Sequence, residues 1–370
     1  YMSKVRLMKV LTVVGARPQI IKAAIVSHVL SLNKYKTITE VMVHTGQHYD
    51  KNMSQNFFTE LNIPTPAYNL NIGSGKHGWQ TGMMMTKLEP IMEEVDPDVV
   101  LLYGDTNSTL AGALVASKLQ YKIFHIESGL RSYRMDIPEE SNRIITDCIS
   151  DILFCPTKTA VENLKKEGRK DGVHLTGDVS YDGFLFYKEI SLKRQCFDKF
   201  RLKKDKYILA TIHRAENTSS INRLQKILKV FKKISLDCEV IIPLHPRTKN
   251  KIESLNLLED VKGIRIMEPV SYLEMISLLI NSRIVITDSG GVQKEAYFSK
   301  TPCVTLRDET EWIETLEYGW NRLVSPFTEE NIESSILDAM SINRKDKNYS
   351  EHFGSGNAAT SISNFLLDME

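Results

Sequence analysis

The sequence predicts an α/β protein made of two halves, each a parallel sheet layered with helices. Three observations predict it. Short apolar, β-branched runs alternate with helical stretches along the chain. Most of these runs stop abruptly in glycine, acid, histidine or arginine, the kind of strand end where open α/β sheets build ligand crevices. At 370 residues the chain is also too long for one ordinary hydrophobic core.

Residues 9–14 (KVLTVV) read as the first strand, and Gly15-Ala16-Arg17-Pro18 turns it into a helix over residues 19–32. A dinucleotide fingerprint needs GxGxxG, and the single glycine here argues against bound NAD. Arg17 and Lys22 put two cations over that helix start, a setting for phosphate or simply two solvated side chains. Residues 40–44 (EVMVH) are a second strand, ending in the polar run Thr45-Gly46-Gln47-His48. Residues 69–80 are glycine-rich and without period, hence a loop, and residues 81–94 form a helix whose methionines are core residues.

Val99–Tyr103 and residues 123–126 (IFHI) have the length and branching of buried parallel strands. Each ends in a carboxylate beside a glycine, Gly104-Asp105 and then Glu127-Ser128-Gly129. Residues 109–119, rich in Ala and Leu, are the crossover helix between them. Both acids therefore belong to the C-terminal edge of neighbouring strands. A third acidic pair, Glu139-Glu140, follows Pro138 at the next loop-to-helix junction. Asp105 can cap a helix and Glu127 can pair with Arg131, but capping explains one acid and not the cluster. Residues 151–156 (DILFCP) and 173–177 (VHLTG) are the further strands of this half.

A charged stretch at residues 188–206 separates the halves, and the boundary is placed just before it, giving domains at 1–180 and 181–350. Residues 207–212 (YILATI) open the second half and end in His213-Arg214; residues 240–243 form a strand that ends at His245-Pro246-Arg247. Residues 221–234 and 271–279 are helices. Ile284–Thr287 runs into Asp288-Ser289-Gly290-Gly291, a strand, small-residue turn and helix in which backbone N–H groups and the Ser289 hydroxyl can meet an anion. A plain tight turn is the other reading. Residues 302–306 are the next strand, and residues 351–370 hold a final helix that crosses back to the first domain. Carboxylates and cations in one half and a phosphate cradle in the other lead us to expect a shared cleft.

Composition excludes several classes. Lys and Arg (47) nearly balance Asp and Glu (46), which argues against nucleic-acid wrapping or a basic membrane surface. The five cysteines are odd in number and lack CxxC spacing, against a disulfide framework or zinc site and for a reducing compartment. No metal-ligand spacing accompanies the acids. No apolar run of about 18 residues and no signal-peptide pattern occurs, so a cytoplasmic protein is expected. Tyr1 ahead of Met2 reads as an addition, with Met2 or Met8 the expected natural start.

The blocks GARPQIIKAA, HTGQHYD, YGDTNSTLAG, HIESGLRS, PEESNR, TIHRAEN, LHPR, TDSGGVQKEA and LRDETEW, in this order over nearly the whole chain, resemble the non-hydrolysing UDP-N-acetylglucosamine 2-epimerases. The resemblance implies two Rossmann-like domains in a glycosyltransferase-B-like fold, an active site in the interdomain cleft, and a homodimer. It implies catalytic roles for Asp105, Glu127 and Glu139, with His213 the active-site histidine. Arg17 and Lys22 match cations near the diphosphate and the reaction centre, and Arg143 an arginine of the same cleft. Ser289, Gly290 and Gly291 match the phosphate-binding turn, Glu295 the acid on the ribose hydroxyls, and Tyr272 a uracil contact. Gln47, His48 and His245 fall where some bacterial members bind a second, allosteric UDP-sugar.

The implied reaction interconverts UDP-N-acetylglucosamine and UDP-N-acetylmannosamine by loss and re-addition of UDP, with neither NAD nor metal, for bacterial surface-polysaccharide precursors. Two features depart from the regulated members. The His48 block continues Tyr-Asp-Lys-Asn-Met-Ser, and the loop from Glu127 to Glu139 is shorter. Both lean toward the branch acting on UDP-2,3-diacetamido-2,3-dideoxy-glucuronate, whose carboxylate calls for a cation such as Arg131 or Arg134. A UDP-sugar glycosyltransferase, a hydrolysing epimerase and a non-catalytic sensor are the competing readings, since fold alone does not fix function.

Overall fold

In the computed structural model, which describes residues 7–47, 58–61, 63–244 and 246–369, the chain divides into two units. The first comprises Tyr1–Leu185 and Glu351–Glu370, the second Phe186–Ser350. The first unit contains β1 (Met8–Val14), α1 (Arg17–Leu30), β2 (Ile38–His44), β3 (Tyr68–Asn69), α2 (His77–Val95), β4 (Val99–Tyr103), α3 (Asn107–Lys118), β5 (Lys122–Ile126), α4 (Pro138–Ile149), β6 (Ile152–Cys155), α5 (Lys158–Lys166) and β7 (Val173–Leu175). Next comes α6 (Val179–Lys193), which runs through the division after Leu185. Part of the stretch that the charge pattern set aside as a separator is therefore this helix.

The seven strands are ordered β3-β2-β1-β4-β5-β6-β7, and every pairing is parallel. Strand order reverses between β1 and β4, the topological switch point of a Rossmann sheet. Val99–Tyr103 is buried along its whole length, as a strand covered on both faces must be. Leu11, Val13, Val100 and Leu102 pack with Met84, Leu88 and Met92 of α2, so these methionines do fill the core. That helix begins at His77, inside the segment read as loop. Gly15, between β1 and α1, has no room for a side chain: an added Cβ would lie 1.9 Å from Ser108 Oγ and 2.2 Å from Thr45 Oγ1. The close approach of Ser108 and Thr45 requires this glycine.

The second unit contains β8 (Tyr207–Thr211), α7 (Ala215–Thr218), α8 (Ile221–Ile234), β9 (Glu239–Pro243), α9 (Pro246–Ser254), β10 (Arg265–Met267), α10 (Tyr272–Asn281), β11 (Ile284–Thr287), α11 (Gly290–Phe298), β12 (Cys303–Thr305), β13 (Asn321–Leu323) and α12 (Glu329–Met340). Its parallel sheet is ordered β10-β9-β8-β11-β12-β13, with the reversal between β8 and β11. Ile208, Ala210 and Ile286 face one core with α8 and α12, while Tyr207, Leu209 and Val285 face another with α10, the two-residue alternation of a doubly covered strand.

The last helix, α13 (Ala358–Leu367), packs on α1 of the first unit. Asn364 Oδ1 accepts from Lys34 Nζ at 2.6 Å and from Tyr35 Oη at 2.9 Å, and Phe365 lies edge-on to Phe124 and Phe154. Among the described residues no helix is long and apolar enough to cross a membrane.

Candidate active site

In the first unit the acids stand at or beside the switch point. Asp105 follows β4 and Glu127 follows β5, and Tyr103 pairs with Ile126, so both acids leave the same sheet edge from adjacent strands. Each meets a cation. Lys22 Nζ lies 2.6 Å from Glu127 Oε2, with both side chains nearly closed to solvent. Arg143 Nη2 lies 2.5 Å from Asp105 Oδ2, and its Nη1 is 2.8 Å from Glu140 Oε2. Glu127 takes φ 71°, the left-handed region, a conformation that costs a non-glycine residue of order 1 kcal/mol and that concentrates at working sites.

The Glu139-Glu140 pair splits. Glu139 lies in the first turn of α4 and is exposed, whereas Glu140 is fully buried. Glu140 accepts from the backbone N–H groups of Ser132 and Tyr133 as well as from Arg143. Burial pushes its carboxyl up, but these donors outweigh it and hold the group below the ordinary carboxylate value. Its role is to fold the loop from Ser132 back onto α4. Asn142 adds a bond from Nδ2 to the Asp105 carbonyl at 2.9 Å.

Arg17 opens α1 and is exposed. The N–H groups of Gly15 and Ala16 donate to Gln19 Oε1 at 2.9 and 3.0 Å, so those donors at the strand–helix turn are taken internally. Gln19 Nε2 in turn donates to the Tyr103 carbonyl at 2.7 Å, linking α1 to β4. Gln47 is buried, and its amide oxygen accepts from the Ser108 N–H and hydroxyl. His48 and His245, grouped with it in the sequence, lie outside the described residues.

In the second unit, His213 follows β8 and Asp288 follows β11, again at the reversal of strand order. Asp288 is fully buried and accepts from the backbone N–H groups of His213 and Arg214 and from Asn217 Nδ2. His213 Nδ1 is 3.4 Å from Asp288 Oδ1, and its ring is half exposed. Ser289 is the N-cap of α11, its Oγ accepting from the Val292 N–H. The two glycines differ: a Cβ on Gly290 would lie 2.7 Å from Glu311 Oε1, whereas one on Gly291 would only come into ordinary contact with Ser289 Oγ at 3.9 Å. Glu295 Oε1 accepts from Tyr272 Oη at 2.8 Å, so two residues expected to meet the nucleoside brace each other.

Sequence reasoning passed over Gln19, Asn142, Asp147, His125 and Asp288 as site-shaping residues, and treated Glu140 only as the neighbour of Glu139. Asp288 carried a signal, an acid at a strand end opposite His213. The others are buried polar residues inside helices and strands, where spacing alone does not mark them. Among the described residues no group of three metal-ligating side chains gathers, and the cysteines there are free thiols.

Two parallel sheets with Rossmann strand order, acid–cation pairs at the edge of one and a capped helix start at the edge of the other, define a two-domain α/β enzyme of the glycosyltransferase-B-like class. The family model described as UDP-N-acetylglucosamine 2-epimerase matches residues 30–367, and the chain belongs to this family of isomerases. It is 49% identical to a UDP-N-acetylglucosamine 2-epimerase homolog of Methanococcus maripaludis, over 98% of this chain and 100% of the relative. It is 47% identical to the UDP-2,3-diacetamido-2,3-dideoxy-D-glucuronate 2-epimerase of Pseudomonas aeruginosa, over 98% and 100%. The crystal structure of the Methanocaldococcus jannaschii UDP-GlcNAc 2-epimerase in complex with UDP-GlcNAc and UDP superposes with a TM-score of 0.89 at 42% identity, covering 98% of this chain and 100% of that one.

Proposed function

We propose that the protein interconverts UDP-N-acetylglucosamine and UDP-N-acetylmannosamine by eliminating and re-adding UDP. The observation that carries this reading is the pair of acids, Asp105 and Glu127, on one sheet edge with a cation against each. The C2 hydrogen of such a sugar is not alpha to a carbonyl, so simple removal and return is implausible. The route proposed breaks the C1–O bond to UDP as a carboxylate takes the C2 proton, and a C1–C2 double bond forms. A 2-acetamidoglucal and UDP result. Protonation of C2 from the other face and return of UDP to C1 give the epimer.

This chemistry wants an acid–base group for each face of C2, the part given to Asp105 and Glu127, with Glu139 supporting charge at C1. It also wants donors for the departing diphosphate, the part given to Arg17, His213 and the Ser289–Gly291 turn. Lys22 and Arg143 act on the acids. Glu295 and Tyr272 would hold the nucleoside. The route calls for no NAD and no metal. A homodimer and a cytoplasmic site of action in surface-polysaccharide precursor synthesis complete the proposal, and sedimentation of the purified enzyme tests the dimer.

A second reading, the diacetamido-glucuronate as substrate, is supported by the Pseudomonas relative's 47% identity. Of the two cations expected for its carboxylate, Arg131 is buried between Asp147 and Glu167, and Arg134 pairs with Asp136. Arg131 is thus committed to the fold. Offering each UDP-sugar separately decides between the readings. Turnover of the uronate with little of UDP-N-acetylglucosamine would transfer the assignment, and an acceptor-dependent product would make the enzyme a transferase.

A further inference from the structure

We propose that His125 is a positioning residue of the reaction, fixing the turn that carries Asp105 and tying it to the turn that carries Glu127. The proposal rests on the reading that these two acids handle the C2 proton. His125 lies on β5 and is fully buried, so it acts through its neighbours and not on a substrate.

Its ring spans two acceptors. Nε2 is 2.7 Å from the Gly104 carbonyl oxygen, and Nδ1 is 2.7 Å from Asp147 Oδ1. A carbonyl oxygen only accepts, so Nε2 carries a proton. Asp147 Oδ2 meanwhile accepts from the Gly129 N–H at 3.0 Å and from Arg131 Nη1 at 2.7 Å. Burial pushes the Asp147 carboxyl up, but the bonds and charges of His125 and Arg131 outweigh it and keep it ionised. The other ring nitrogen, Nδ1, lies against that carboxylate, so the ring bridges the Gly104 carbonyl and Asp147. Arg131 completes the set through Nε and Nη2 to Glu167 at 2.7 and 2.6 Å. Asp147 thus joins the His125 ring to the Arg131 guanidinium in the interior, while Glu167 holds the outer edge of Arg131 at the surface.

One helix consequently grips the Asp105 turn at three points. Asn142 holds the Asp105 carbonyl, Arg143 holds its carboxylate, and Asp147, one turn further along α4, reaches the Gly104 carbonyl through the His125 ring. The same Asp147 holds the N–H of Gly129, two residues after Glu127. A single acid thereby sets both turns, and a displacement of about 1 Å at a reacting group can cost about a hundredfold in rate.

Histidine ring-15N labelling of the full-length enzyme reads the protons, with the His125 signals assigned by their loss in His125→Phe. A protonated, hydrogen-bonded Nε2 is expected, since the Gly104 carbonyl oxygen only accepts; a bare Nε2 overturns the proposal. In steady state, His125→Phe should lower kcat about tenfold to a hundredfold while KM and UDP affinity stay within about twofold. Should that variant not fold, Asp147→Asn keeps a hydrogen-bonding side chain beside the ring. It should lower kcat by about tenfold and leave the Nε2 proton on the Gly104 carbonyl in place. A variant with a lower melting temperature but unchanged kcat in its folded fraction overturns the positioning role alone. A wild type that epimerises no UDP-sugar removes the functional reading itself, so the two failures are distinguishable.

Discussion

Lys22 Nζ meets Glu127 Oε2 at 2.6 Å, joining the second turn of α1 to the end of β5 across the intervening β4 edge. Both side chains are almost excluded from water, and Gly104 lies against the pair. The ammonium and the carboxylate therefore compensate each other's charge. Lys22→Met should leave a buried acid without that cation, lowering kcat by about a hundredfold and stability by about 3 kcal/mol. Lys22→Arg should recover part of both. Urea unfolding beside turnover measures the two effects, and a fully active, stable Lys22→Met would remove the pair from the mechanism.

Asp105→Asn and Glu127→Gln should each keep UDP binding and lose turnover by about a hundredfold or more, the scale of an acid–base group. With wild-type enzyme in heavy water, deuterium should enter C2 of the product, because a carboxylate exchanges its proton with solvent between the two halves of the reaction. Product and recovered substrate that both stay free of deuterium would rule out elimination and re-addition.

Glu295→Ala should weaken UDP binding and change the proton step little. Tyr272→Phe removes the 2.8 Å bond that braces Glu295 while leaving the acid in place, so its loss of UDP affinity should be smaller. Calorimetric titration with UDP gives both numbers. Equal losses of UDP affinity in Glu295→Ala and Asp105→Asn would erase the division between nucleotide-holding and proton-handling residues.

The parallel strands were legible because doubly covered strands read as unbroken apolar runs, as Val99–Tyr103 does. Short edge strands such as Tyr68–Asn69 and Arg265–Met267 were not, since two or three half-exposed residues carry no period. The acids Asp105 and Glu127 were visible as carboxylates beside glycine at strand ends. What each one touches was not. Lys22 could be read as a phosphate ligand beside Arg17 or as a solvated cation, and only the fold shows that it points at Glu127. Arg131 could be read as meeting a substrate carboxylate or a nearby acid, and the acid it meets, Asp147, lies 16 residues further along the chain on a helix that the sheet brings alongside. Long-range pairs of this kind depend on strand order, which local sequence does not encode.

The terminal helix is held by an acid whose pH response has a definite sign. Asp182 Oδ2, on α6, accepts from the N–H of Ala359 at the start of α13 at 2.8 Å. Burial pushes its carboxyl up from 3.8 to about 6, with Asp178 adding to the rise, against the lowering effect of the Ala359 and Ala358 N–H groups. The folded state therefore holds a proton more tightly than the unfolded chain does. The stability this contributes is fully present below about 3.8 and is lost as pH rises through about 6. Asn in this place stays neutral at every pH and still offers an oxygen to Ala359. Asp182→Asn should accordingly match the wild type near pH 4 and hold α13 more firmly at pH 7, by up to about 3 kcal/mol. Hydrogen exchange of the α13 amides at the two pH values measures that difference locally, where a whole-chain melting curve would mix the two units. Faster exchange in Asp182→Asn at pH 7 would mean that the ionised carboxylate, through its attraction to the helix N-terminus, outweighs its own burial.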